Sequence, residues 1–329
     1  MKIAVITNRE RLEKFSNKSM IPADAELVFF EHGYTAQDVI SRAGDAEFIL
    51  VDTVLPVTAE MIEGMPNLKM IHSEGAGYAE IDIEAARKRG IYVSNNQGVN
   101  AGQVAEHTVM LALTVLRHFA EGEAAMRAGQ QMEMKMRLMS QGLEDLIGKQ
   151  VGLIGFGAIG KELAKRLLPF GVTLAYYDPF RAAPEVEEQY HITYMSRDEL
   201  LRTSDIITLH VPVTPTTRGM INKETLALMK PTAILINCAR GAVVNTADLA
   251  QAIVDGTIYG CGLDTIDPEP VPADDPVLLL PEPYRWRVAV SPHIAGVTLS
   301  QFYASYDNIW NDVAKVLRGE RPSNIVNGL

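Results

Sequence analysis

The sequence predicts an α/β protein built from two doubly wound parallel-sheet domains. Three observations carry this. Short apolar, β-rich runs alternate with helix-patterned stretches along the whole chain, which is the signature of strands joined by helical crossovers. One run, Val151–Ile154, feeds straight into Gly155-x-Gly157-x-x-Gly160 and then a segment with helical spacing. Finally, 329 residues exceed one comfortable core, and a hydrophobic share of 47% is enough to fill two.

In the first part, the strand-like runs are Ile3–Thr7, Glu26–Phe30, Ala46–Val51, Leu68–His72 and Ile91–Ser94, with helical stretches at Ala36–Ala43, Ala59–Gly64 and Ile81–Arg89 between them. Right-handed crossovers then place helices on both faces of a flavodoxin-like sheet. Gly75, Ala76 and Gly77 follow the strand ending near His72. They therefore lie at the carboxyl edge, where open α/β sheets hold ligands and exposed N–H groups can receive a carboxylate. A long, largely apolar helix begins at Ala101 and extends toward Phe119. Its apolar circumference requires cover on more than one side, from a domain or a subunit. Glu106, His107 and His118 on it read as packing or capping groups. Five methionines between Met126 and Met139 read as a packed linker.

The glycine fingerprint has a physical rationale at each position. Gly155 makes the turn, Gly157 lets a pyrophosphate approach the backbone, and Gly160 lets helix and strand pack closely. The free N–H groups of the helix's first turn then face the phosphates. The next strand, Thr173–Tyr177, ends at Asp178, close to the spacing at which an acid reaches an adenosine ribose diol. An acid repels a 2′-phosphate, so NAD is favoured over NADP, and Arg181 weakens that preference slightly.

Alternation resumes beyond this point, with strands at Asp205–Val211, Ala233–Ala239, Tyr259–Leu263 and Val288–Ser291. A final helix, Ser300–Arg318, is surplus to a nucleotide domain and is expected to return to the first one. The expected partition is residues 1–98 with 297–329 for the first domain and 99–296 for the second.

Composition excludes several classes. A formal charge of −11 with no basic run disfavours nucleic acid. Cys238 and Cys261 lie in apolar runs and read as buried thiols of a reducing cytoplasm. The N-terminal apolar run meets Asn8-Arg9-Glu10 too early for a signal peptide, no stretch is long enough to span a membrane, and no metal-ligand spacing occurs.

Three polar residues follow strands of the second sheet: Arg240, Glu269 and His293. Strand ends on one edge converge on one cleft. There, Arg240 can bind a carboxylate and polarise a carbonyl, His293 can exchange a hydroxyl proton, and Glu269 can orient the imidazole. That set suits reversible hydride transfer between a nicotinamide and a 2-hydroxy acid.

With these residues in place, the chain resembles the D-isomer-specific 2-hydroxyacid dehydrogenases over essentially its whole length. The matching stretches are Gly75–Asp82, Gly98–His107, the glycine fingerprint, His210–Arg218, Asn237–Val244, Gly262–Pro270 and Ser291–Gly296. The resemblance implies a Rossmann NAD-binding domain inserted in a flavodoxin-like substrate domain. It assigns Arg240, Glu269 and His293 as the catalytic set and Asp264 as a nicotinamide carboxamide contact. Around NAD it places Ala158, Ile159, Val211, Pro212, Thr217, Cys238, Ala239 and Arg240, and on the substrate carboxylate the amides near Ala76 and Gly77. It also implies a cytoplasmic homodimer joined around Val104–Arg117. Two positions depart from the family pattern: Ala79 replaces the more usual acid, and Gln131 or Met132 a common tryptophan. The loop Asp52–Thr58 has no cation to hold a phosphate and no C-terminal regulatory domain follows, so a small non-phosphorylated 2-oxo acid is expected. An NAD(H)-sensing corepressor of the same fold is the alternative function.

Overall fold

The computed structural model describes all residues, 1–329. The chain divides into two compact units, Met1–Asn100 with Val297–Leu329, and Ala101–Gly296.

The first unit holds five strands: β1 (Lys2–Ile6), β2 (Glu26–Phe29), β3 (Phe48–Val51), β4 (Met70–Ser73) and β5 (Tyr92–Ser94). They pair in parallel in the order β2-β1-β3-β4-β5. β1, β3 and β4 are buried along nearly their whole length, and β1 and β3 are correspondingly apolar on both faces. One face packs on Val39, Met61 and Ile62 of the crossover helices. The other is closed by the last helix, Leu299–Leu317, whose Tyr306, Ile309, Trp310 and Val313 meet Ile3, Val5, Leu12 and Phe15. The chain therefore does return to its first domain, because a 19-residue amphipathic helix buries its apolar stripe there. Each such side chain contributes about 1.5–3 kcal/mol by leaving water.

The second unit holds β6 (Gln150–Ile154), β7 (Thr173–Tyr177), β8 (Ile192–Tyr194), β9 (Ile206–Leu209), β10 (Ile234–Asn237), β11 (Gly260–Leu263) and β12 (Val288–Val290). The order is β12-β11-β10-β9-β6-β7-β8, parallel throughout. Strand order reverses between β6 and β9, which defines the crevice where a doubly wound sheet binds its ligand.

Two expectations need correction. The long helix stops at Leu116, and a second begins at Phe119. His118 between them is left-handed (φ 50°), a conformation that cannot propagate a right-handed helix. The imidazole holds this turn by donating from Nδ1 to Glu121 Oε2 (2.9 Å). The methionine-rich segment is no packed linker but two helices, Phe119–Arg127 and Gln131–Gln141, and Met126, Met132, Met136 and Met139 on them are exposed. β8 and the helix Pro184–Gln189 before it also arise where the sequence has no long apolar run. The helix Ala101–Leu116 finds its cover inside its own unit, against the helix Ala158–Leu167 and strands β10–β12. Gly262 permits that approach: a Cβ there would lie 2.9 Å from Leu111 Cβ.

Candidate active site

β6 delivers the glycine turn to the carboxyl edge of the second sheet. Gly155 has φ +100°, and an added Cβ would stand 2.5 Å from the His210 carbonyl oxygen, so neither the conformation nor the space admits a side chain. At Gly160 a Cβ would lie 2.6 Å from the Gly155 carbonyl oxygen, which is the close helix–strand contact the third glycine serves. Gly157 is different: nothing approaches its Cβ position within 4 Å. That open space lies at the N-terminus of the helix Ala158–Leu167, whose first-turn N–H groups lack intrahelical acceptors and carry the positive end of the helix dipole. These features fit a dinucleotide pyrophosphate.

Asp178, one residue past β7, is fixed at the same turn. Phe156 N–H donates to its Oδ2 (3.0 Å) and Phe180 N–H to its Oδ1 (2.9 Å). The other residues expected around NAD lie on the same edge. Val211 and Pro212 follow β9, and Val211 flanks the Gly155 turn. The Thr217 hydroxyl donates to the Pro212 carbonyl (2.6 Å) and accepts from Thr214 N–H (2.8 Å), folding that loop on itself. Cys238 and Ala239 follow β10 and are buried. Burial pushes the Cys238 thiol up to about 12, so it stays protonated.

Arg240, Glu269 and His293 leave the carboxyl ends of β10, β11 and β12, which are neighbours in the sheet. All three side chains are exposed. His293 Nδ1 lies 2.9 and 3.0 Å from the two Glu269 oxygens. A carboxylate only accepts, so the Nδ1 proton points at Glu269 and Nε2 is left to exchange a proton with a ligand. Arg240 Nη1 donates to the Ala239 carbonyl (2.7 Å), which anchors one corner of its fork. Asn237 sets the turn beneath it, accepting from Ala239 N–H (3.0 Å) and donating to the Arg240 carbonyl (3.0 Å). Gly241 makes the next step possible: a Cβ there would fall 2.3 Å from Asp267 N, on the loop that carries Glu269.

His293 itself is left-handed (φ 56°). Asp264, 2% exposed, holds it in that conformation. The Asp264 carbonyl accepts from His293 N–H (2.8 Å), and its carboxylate accepts from Ile294 N–H (2.9 Å), Ala295 N–H (2.9 Å) and the Ser291 hydroxyl (2.6 Å). Ser291 Oγ in turn meets His107 Nε2 at 2.8 Å. Reading the sequence alone misses Asn237 and Ser291 and gives His107 a packing role. The available signal was their position inside the stretches quoted for the family resemblance. Glu106 faces outward and pairs with Arg166 at 3.3 Å.

In the first unit, Gly75–Gly77 follow β4. Their carbonyls are all turned inward: Gly75 O accepts from Asn96 N–H (2.9 Å), Ala76 O from Asn95 Nδ2 (2.7 Å) and Gly77 O from the Ser73 hydroxyl (2.5 Å). Across a trans peptide the N–H opposes the C=O, so the amides of Ala76 and Gly77 point the other way. Glu74, just before the loop, is buried and takes bonds from Thr7 Oγ1 (2.5 Å), Arg11 Nη2 (2.5 Å) and the Tyr306 hydroxyl. Arg11 also donates to Asp52 (2.5 Å). The acids hold the Arg11 guanidinium charged against its burial, and Tyr306 is kept protonated by burial and by Glu74.

Residues 109–295 match the family model described as the NAD-binding domain of D-isomer specific 2-hydroxyacid dehydrogenases. A glyoxylate reductase of Korarchaeum cryptofilum is 33% identical over 99% of this chain and 96% of its own length. A D-3-phosphoglycerate dehydrogenase of Methanocaldococcus jannaschii is 36% identical over 90% of this chain but only 54% of its own. Among solved structures, D-lactate dehydrogenase with NAD+ from Lactobacillus jensenii superposes with a TM-score of 0.83 at 29% identity, covering 99% of both chains. The chain belongs to the D-isomer-specific 2-hydroxyacid dehydrogenase family, NAD-dependent oxidoreductases acting on the CH–OH group of 2-hydroxy acids.

Proposed function

We propose that this protein reduces a small, non-phosphorylated 2-oxo acid, glyoxylate foremost, with His293 as the acid/base, Glu269 as its supporting acid and Arg240 as the substrate-binding cation. The observation that carries this is the His293–Glu269 pair, with both carboxylate oxygens on Nδ1, next to a strand end that presents Arg240. NADH, when bound, supplies the hydride. Nε2 of a protonated His293 gives its proton to the carbonyl oxygen during reduction and takes it back in the reverse direction. Glu269 stabilises the imidazolium, though both groups are near half exposed, so the gain is that of a screened pair. Arg240 polarises the carbonyl and binds the carboxylate. In the first unit, the outward amides of Ala76 and Gly77 are groups suited to a carboxylate. Gly155, Gly157, Ala158, Ile159 and Gly160 hold the pyrophosphate, Asp178 the adenosine ribose, and Val211, Pro212, Thr217, Cys238, Ala239 and Asp264 the remainder of NAD.

A phosphorylated substrate is disfavoured because the cation that reaches Asp52, Arg11, is already neutralised by Asp52 and Glu74. The division into a substrate domain (1–98, 297–329) and an NAD domain (99–296) belongs to the same reading. So does a cytoplasmic homodimer joined around Val104–Arg117: Phe119, Met126, Met132, Met136 and Met139, just beyond that helix, are exposed apolar side chains that a second copy would cover. The test is NADH oxidation with glyoxylate, hydroxypyruvate, pyruvate, and branched and aromatic 2-oxo acids. Turnover fastest with glyoxylate or hydroxypyruvate supports the reading. No turnover with any of them alongside tight NADH binding would replace it with a sensor.

A further inference from the structure

We propose that Glu187 determines cofactor specificity: it ties up Arg181, the cation nearest in sequence to Asp178, and so denies a 2′-phosphate its counter-charge. A 2′-phosphate on the adenosine ribose needs a cation with free donors at the end of β7, and an arginine fork is the group suited to it. Arg181 lies three residues past Asp178, on the turn that leaves β7. Taken from sequence, it should lend some tolerance to NADP.

The structure turns that expectation around. Arg181 Nε donates to Glu187 Oε1 and Nη2 to Oε2, both at 2.9 Å, a bidentate pair that uses one whole edge of the guanidinium. Its guanidinium carbon lies 5.1 Å from the centre of the Tyr194 ring. Glu187 is itself held from behind, because the Tyr176 hydroxyl donates to Oε1 at 2.8 Å while accepting from Ala182 N–H at 2.8 Å. Together Arg181 and then Tyr176 bring the Glu187 carboxyl down to about 2, so it is charged at any working pH. The Arg181–Glu187 pair is therefore neutral as a unit. What remains at this end of β7 is the negative charge of Asp178, with only Nη1 of Arg181 left outside the pair.

Glu187→Gln keeps the shape and the acceptor for Tyr176 but removes the charge that holds Arg181. Direct fluorescence titration with NADH and NADPH reads the outcome and does not depend on which 2-oxo acid is the substrate. NADPH should bind about tenfold more tightly to Glu187→Gln, the gain from one charge-assisted hydrogen bond, while NADH affinity stays within about twofold. Arg181→Ala alone, which uncovers the Glu187 charge, should leave NADPH affinity no higher than in the unaltered protein, and the double variant Arg181→Ala/Glu187→Gln should lose the gain. Glu187→Ser carries the same expectation should the glutamine variant melt early. The proposal is overturned by NADPH affinity that does not rise in Glu187→Gln, by a rise that survives in the double variant, or by Arg181→Ala binding NADPH more tightly by itself.

Discussion

Arg11→Met in the first unit is the sharpest test of how the Gly75–Gly77 loop is held. The substitution keeps an apolar stem of similar reach and deletes the cation shared by Asp52 and Glu74. The Asp52 side chain is 24% exposed and recovers part of its hydration, whereas that of Glu74 is 9% exposed and cannot. Removing one partner of a buried pair costs about 3–5 kcal/mol, and the partial exposure of Arg11 argues for the lower end, about 3 kcal/mol. At a urea dependence of about 2 kcal/mol/M, this lowers the unfolding midpoint by roughly 1.5 M. The protein offers a local probe. Of its two tryptophans, Trp310 is buried in the first unit against Ser16 and Trp286 lies in the second. In a Trp286→Phe background, Trp310 fluorescence reports the first unit alone. Arg11→Met/Glu74→Gln should be at least about 1 kcal/mol more stable than Arg11→Met, since a neutral amide needs no counter-charge. A midpoint shift below about 0.3 M, or a double variant no better than the single one, would refute the claim that Glu74 depends on Arg11.

Three further outcomes are expected. Asp178→Ala should weaken NADH far more than NADPH, because it deletes the ribose acceptor and relieves repulsion of a 2′-phosphate; equal losses in the two titrations count against the ribose contact. His293→Gln should lower turnover by about 10²–10⁴ with little change in NADH affinity, and unchanged steady-state turnover removes His293 from proton transfer. His210 bears on acid stability: burial lowers its pKa from 6.5 to about 3. The unfolded chain binds this proton below about pH 6.5 and the folded one does not until about pH 3. Stability from this site is therefore complete above pH 6.5 and falls on acidification by up to about 1.4 kcal/mol per pH unit. His210→Gln should flatten that fall, read from Trp286 fluorescence in a Trp310→Phe background; identical losses between pH 7 and pH 4 would argue against it.

Local sequence carried the pieces whose cause is local. The Gly155–Gly160 turn needs residues without side chains whatever surrounds it, and alternating apolar runs need a parallel sheet to bury both faces. Arg240 and His293 stand out as candidates because each comes a few residues after such a run, and Glu269 because it lies on the loop that leaves another. The limits were as physical. Nothing near His118 marks the residue as left-handed. Methionine patterning did not tell a packed linker from two helices with exposed faces, because the same side chain serves either.

Tertiary structure alone decided who meets whom across long stretches of chain. His107 reaches Ser291 across 184 positions and Arg11 reaches Glu74 across 63, so no window along the sequence contains both partners. Charge compensation is settled by folding too, even over a span of six residues. Arg181 reads as a free cation beside Asp178 until the helix Pro184–Gln189 folds back and brings Glu187 onto it. Sequence thus set the residue types and the strand ends from which they emerge. Folding decided which of those charges are compensated and which remain available to a ligand, because compensation depends on distances of a few ångström that only the packed chain creates.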